Sequence, residues 1–125
     1  MARILVIDDH ESIRRLLRLT LEGAGHEVLE ASNGRLGLEL YQEQLVDLVI
    51  TDIAMPEMNG LELLLELKRN FFNVKAIAMS GDYEGEIALA VAKRIGAHWT
   101  FQKPFDMKIL LSAVQYELSA LAAAA

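Results

Sequence analysis

Residues 47–60 read Asp47-Leu48-Val49-Ile50-Thr51-Asp52-Ile53-Ala54-Met55-Pro56-Glu57-Met58-Asn59-Gly60. An apolar, β-branched run stops at an aspartate, a loop with proline and glycine follows, and a Leu-rich helical segment then runs to about Asn70. A strand that is apolar throughout, instead of alternating, is covered on both faces, as in a parallel sheet flanked by helices.

The same pattern recurs on both sides. Arg3-Ile4-Leu5-Val6-Ile7 is a second such run, ending in Asp8 and Asp9. A helical segment from about Glu11 to Ala24 follows, with Ile13, Leu16, Leu17, Leu21 and Ala24 at helical spacing and Gly23 and Gly25 at its end. His26 to Glu30 is polar enough for an edge strand, and Ser32 is expected to cap a helix over 33–44 with Leu36, Leu40 and Tyr41 inward. Val74 to Met79 reads as the fourth strand, then the turn Ser80-Gly81-Asp82 and an Ala-rich helix from Glu84 to Arg94. His98 to Phe101 is the fifth strand, and the last helix spans about Asp106 to Leu121. Alternating strands and helices imply right-handed βαβ crossovers. The expected fold is therefore α/β: a doubly wound, five-stranded parallel sheet of order 2-1-3-4-5.

Bulk properties narrow the function. At 125 residues the chain is one domain, and 53% apolar residues supply a core. The absence of cysteine excludes disulfides, thiolate metal sites and cysteine nucleophiles. No apolar run is long enough to span a membrane, and Met-Ala-Arg leads into no signal-peptide h-region, so a cytoplasmic protein without membrane insertion is expected. A net charge of −6 argues against direct contact with nucleic acid. Arg14, Arg15 and Arg18 are read as a solvated helix face, and Ala122 to Ala125 as a frayed tail or cloning remnant.

Ligands of such sheets bind at the carboxyl ends of the strands. There the sequence places Asp8 and Asp9, Asp52, Ser80, and Lys103 followed by Pro104. Singly, each has a bland explanation as a helix cap or turn residue. Together they do not, because two carboxylates about 4 Å apart repel by roughly 4 kcal/mol at an effective dielectric of 20. A hard divalent cation relieves this repulsion, and without an EF-hand-like loop Mg²⁺ is favoured over Ca²⁺. One carboxylate can then attack phosphorus, with Ser80 and Lys103 meeting the developing phosphoryl charge.

The segments Ile4 to Asp9, Val49 to Gly60, Ala78-Met79-Ser80-Gly81, Gly96-Ala97 and Lys103-Pro104-Phe105 closely resemble bacterial response-regulator receiver domains, over about Arg3 to Leu121. The resemblance implies a flavodoxin-like (βα)5 sandwich and one receiver domain over residues 1–121. It further implies that Asp52 is the phosphoacceptor and that Mg²⁺ is held by Asp9, by Asp8 through water, by Asp52 and by the carbonyl of Ala54. By the same token Ser80 is the switch hydroxyl, Lys103 pairs with the phosphoryl group, and the Lys103–Pro104 bond is cis. The implied partners are a sensor histidine kinase or histidine phosphotransfer protein and a downstream protein. One position departs: Thr100 stands where the family usually carries an aromatic switch residue, with Trp99 and Phe101 expected on the opposite face as core.

Three rivals share parts of this pattern. A flavin carrier would need a phosphate-cradling loop where Asp8-Asp9-His10-Glu11 stands. An aspartate-nucleophile phosphatase would need an acid where Ala54 stands. A docking module that has lost phosphorylation would not need Asp9, Asp52, Ser80 and Lys103 together.

Overall fold

The computed structural model describes residues 2–81 and 85–124, the side chains of 85 and 120–124 excepted. Asp82 of the expected turn and the expected helix start at Glu84 lie outside the described residues.

Five strands, β1 (Arg3–Ile7), β2 (Glu27–Ala31), β3 (Leu48–Asp52), β4 (Ala76–Ser80) and β5 (Trp99–Gln102), alternate with five helices. These are α1 (Glu11–Gly23), α2 (Gly34–Glu43), α3 (Gly60–Asn70), α4 (Gly85–Ile95) and α5 (Met107–Ala124). All pairings are parallel and the order is β2-β1-β3-β4-β5, as expected. The backbone of α5 continues past Leu121 to Ala124, in keeping with alanine's high helix propensity.

Side chains alternate across the pleat, so each central strand feeds two cores. Leu5, Ile7, Val49, Ala76 and Ala78 face α2, α3 and α4, with Leu63, Leu64 and Leu67 from α3. Ile4, Val6, Leu48, Ile50, Ile77 and Met79 face α1 and α5, packing on Leu17, Leu21, Leu110 and Val114. β1, β3 and β4 are thereby buried on both faces, which is why their sequences lack alternation.

Several local expectations are corrected. Asn33, not Ser32, caps α2, its side-chain oxygen accepting the Leu36 N–H at 2.9 Å. Leu36 is exposed, because the inward face of α2 runs through Gly34 and Gly37. A Cβ on Gly37 would lie 2.4 Å from the Ile7 side chain, so glycine lets the helix close on the sheet. Leu16 and Ala24 of the expected apolar stripe on α1 are likewise exposed. Arg14 and Arg18 do not form a solvated face. Arg14 bonds Glu30 at 3.2 Å, while Arg18 bonds Glu30 and the Val28 carbonyl, tying α1 to β2; only Arg15 of the three stays mainly in solvent.

Candidate functional site at the carboxyl edge of the sheet

Asp8 follows β1 directly and is fully buried. Its N–H donates to the Ala31 carbonyl at 3.1 Å, and its own carbonyl accepts from Arg14 Nη1 at 2.7 Å. Its carboxylate is equally engaged: Oδ1 accepts the His10 N–H at 2.9 Å, and Oδ2 accepts from Lys103 Nζ at 2.7 Å. Asp9, next in the chain, is turned toward solvent.

Asp52 closes β3 and is 3% exposed. Its peptide is held tightly. The Thr51 hydroxyl donates to the Asp52 carbonyl at 2.9 Å, and Ile53 N–H donates to the Met79 carbonyl at 2.9 Å. The loop returns at once, because Gly60 N–H donates to the Ile53 carbonyl at 2.8 Å. A Cβ on Gly60 would sit 2.3 Å from the Asp52 carbonyl oxygen, so α3 starts against the backbone of the aspartate only because that residue is glycine. Asn59 and Glu62 fix the start of α3 with a reciprocal capping box.

Lys103 reaches the site from the loop after β5. Its N–H donates to the Ser80 carbonyl at 2.7 Å, and its peptide bond to Pro104 is cis, as the resemblance implied. Its Nζ lies 3.4 Å from Asp52 Oδ1, an ion-pair distance. Among the described residues no hydrogen bond reaches that oxygen. Ser80 ends β4 beside it, buried. A cavity of about 350 Å³ opens over these groups, lined by His10, Ser12, Ile13, Asp52, Ala54, Gly81 and Lys103.

The electrostatics follow from burial. Desolvation raises the Asp52 carboxyl from 3.8 to about 6, Asp8 adds to the rise, and Lys103 partly opposes it. Burial alone would lower the Lys103 ammonium, but the bond to Asp8 and the charges of Asp52 and Asp8 outweigh it and raise its pKa. The site thus carries more negative than positive charge.

One oxygen each from Asp8, Asp9 and Asp52 and a ring nitrogen of His10 lie within 4.8 Å of one another. Hard carboxylate oxygens, one of them buried and unbonded, are the donors that a divalent cation such as Mg²⁺ takes. The residues fit the ion. The structure therefore gathers Asp8, Asp9, Asp52, Ala54, Ser80 and Lys103 in one place. His10 was passed over in the sequence, although a nitrogen donor beside two acids was visible there.

Of the two β5 neighbours of Thr100, only Trp99 departs from expectation. Thr100 pairs with Ala78 and is half-buried on the side of α4, while Phe101 packs on Phe105 in the other core. Trp99 is not core: it is 36% exposed and meets Tyr116 of α5 edge-on, ring centres 5.7 Å apart.

A doubly wound parallel sheet with this polar set at its carboxyl edge defines a flavodoxin-like receiver fold. Residues 4–115 match the family model described as response regulator receiver domain, and the chain belongs to that family, the signalling switches of two-component systems. It is 37% identical over 114 residues to the chemotaxis protein CheY of Thermotoga maritima, covering 90% of this chain and 93% of that one. It is 36% identical over 115 residues to the CAI-1 autoinducer sensor kinase/phosphatase CqsS of Vibrio cholerae, covering 90% of this chain but only 17% of that protein. The chain spans about a quarter or less of the length of several longer curated relatives. The crystal structure of the response regulator TrrA from Thermotoga maritima, in complex with Mg(2+)-BeF, superposes with a TM-score of 0.84 at 33% identity, covering 94% of this chain and 100% of that one. No helix among the described residues is long and apolar enough to cross a membrane.

Proposed function

We propose that this protein is a phosphorylation-controlled switch whose Asp52 takes a phosphoryl group from a phosphohistidine on a sensor histidine kinase or histidine phosphotransfer protein, and so changes its binding to a downstream protein. The observation that carries the reading is the buried Asp52 Oδ1, unbonded among the described residues, at the floor of the cavity and 3.4 Å from Lys103 Nζ. A carboxyl that titrates near 6 is ionised at neutral pH and available as a nucleophile.

In the transfer, an Asp52 oxygen forms the new O–P bond while the P–N bond to the donor imidazole breaks, and the electron pair stays with that imidazole. Lys103 supplies a fixed cation to the phosphoryl oxygens, and Ser80 supplies a hydroxyl. Asp9, Asp52 and the Ala54 carbonyl would hold Mg²⁺, with Asp8 behind them through water. When bound, the ion neutralises charge on the transferred group. Catalysis is confined to phosphorylation and later hydrolysis at Asp52. The reading covers residues 1–121, sets the protein in the cytoplasm, and gives neither nucleic acid nor membrane a direct role. That TrrA is crystallised with Mg(2+)-BeF supports the cation assignment by analogy.

Acetyl phosphate with Mg²⁺ tests the acceptor without a kinase. One hydroxylamine-sensitive phosphoryl group per chain is expected, lost with EDTA and with Asp52→Asn. Equal labelling of the variant, or labelling of a serine, overturns the assignment.

A further inference from the structure

The structure assigns His10 a place among the donors of the acid site, and we propose that the site takes a borderline divalent transition cation of the Zn²⁺ kind through His10 Nδ1. This rests on reading Asp8, Asp9 and Asp52 as a cation site.

His10 Nδ1 lies 3.2 Å from Asp8 Oδ1 and 3.2 Å from Asp9 Oδ1. Two donors each about 2.1 Å from a common metal are separated by roughly 3.0 Å in octahedral and roughly 3.4 Å in tetrahedral coordination. The separation of His10 Nδ1 from Asp9 Oδ1, the direct ligand of the two acids, falls between these values. His10 occupies the position just before α1 with extended backbone, and its side chain makes no capping hydrogen bond, so helix formation does not require the ring. The ring lines the same cavity as Asp52, whose buried Oδ1 accepts no hydrogen bond among the described residues and is open to a cation. Imidazole nitrogen suits Zn²⁺, Co²⁺ and Ni²⁺, whereas Mg²⁺ keeps to oxygen. A nitrogen at this rim therefore changes which cations the site distinguishes.

The opposing account is a protonated imidazole that only bridges the two carboxylates. Removing the ring would then free the acids and strengthen cation binding. His10→Asn separates the two accounts, and asparagine is a strong cap at the start of a helix, so the fold is retained. Co²⁺ and Mg²⁺ are titrated calorimetrically into wild type and variant at one pH, and the visible absorption of bound Co²⁺ is recorded. The ratio of Co²⁺ to Mg²⁺ affinity should fall roughly tenfold or more in His10→Asn, with a changed Co²⁺ band as a nitrogen donor is lost. An unchanged or rising ratio, or an identical band, overturns the His10 assignment while leaving the acid site standing. Asp9→Ala serves as the second arm. If it weakens neither cation, the acid site itself is wrong and the His10 assignment falls with it.

Discussion

Replacing Asp52 by asparagine should stabilise the protein in metal-free buffer, although it removes the proposed acceptor. The carboxyl is raised from 3.8 to about 6 on folding, chiefly by burial and then by Asp8. The sign is fixed by linkage. Between 3.8 and about 6 the native state holds more protons than the unfolded chain, so stability falls as pH rises through that window. The full penalty is present above it and absent below it. At about 1.36 kcal/mol per tenfold change the ceiling is about 3 kcal/mol. An amide left short of partners in the same place offsets about 1 kcal/mol of this. A net gain of about 2 kcal/mol at pH 8 corresponds to a rise in Tm of roughly 6–10 °C for a chain of this size. Urea unfolding of both proteins in EDTA, from pH 4 to pH 8, measures the difference directly. The gain should vanish between pH 4 and pH 5 and turn into a small loss near pH 4, where the cost of the amide outweighs what remains of the penalty. A variant that is less stable at pH 8, or a gain independent of pH, would refute the reasoning that Asp52 is held at a cost.

Mg²⁺ should raise the Tm of the wild type by mass action, and Asp9→Ala should abolish most of that rise; equal shifts would place the ion elsewhere. Lys103→Met leaves the fully buried Asp8 carboxylate without its cation, so a loss of about 3 kcal/mol is expected in chemical unfolding, together with slower transfer to Asp52. Wild-type stability and transfer in this variant would contradict the pairing. Because Thr100 has no ring to turn, beryllofluoride with Mg²⁺ should shift amide resonances mainly around residues 54–60, with smaller changes at 98–101 and along α5. Equally large changes at both places would show that the aromatic residue is not needed for coupling.

The sheet was legible because β1, β3 and β4 announce burial on both faces, and β2 announces an edge through Glu27 and Glu30. The site was legible because its members stand at strand ends, where topology alone brings them together. What escaped was decided by contacts between elements. Nothing in the periodicity of α1 says that Arg14 and Arg18 will meet Glu30, since that depends on how the helix crosses β2. Ser32 and Asn33 are both competent caps, and only the path of the chain selects the second. Leu36 was misplaced because the buried face of α2 runs through Gly34 and Gly37, which carry no apolar side chain to mark it. Trp99 was placed in the core because an aromatic residue on a strand usually belongs there, and nothing in the sequence marks it as standing at the exposed rim of β5.

The bond from Lys103 Nζ to Asp8 joins residues 95 positions apart, the first strand's end to the last one's. During synthesis the acids emerge long before the cation that steadies them. A nascent chain that has passed Asp52 but not yet reached Lys103 holds both aspartates without the cation that pairs with them. The ion pair of the fully buried Asp8 is therefore completed only when the chain has been made as far as the loop after the fifth strand.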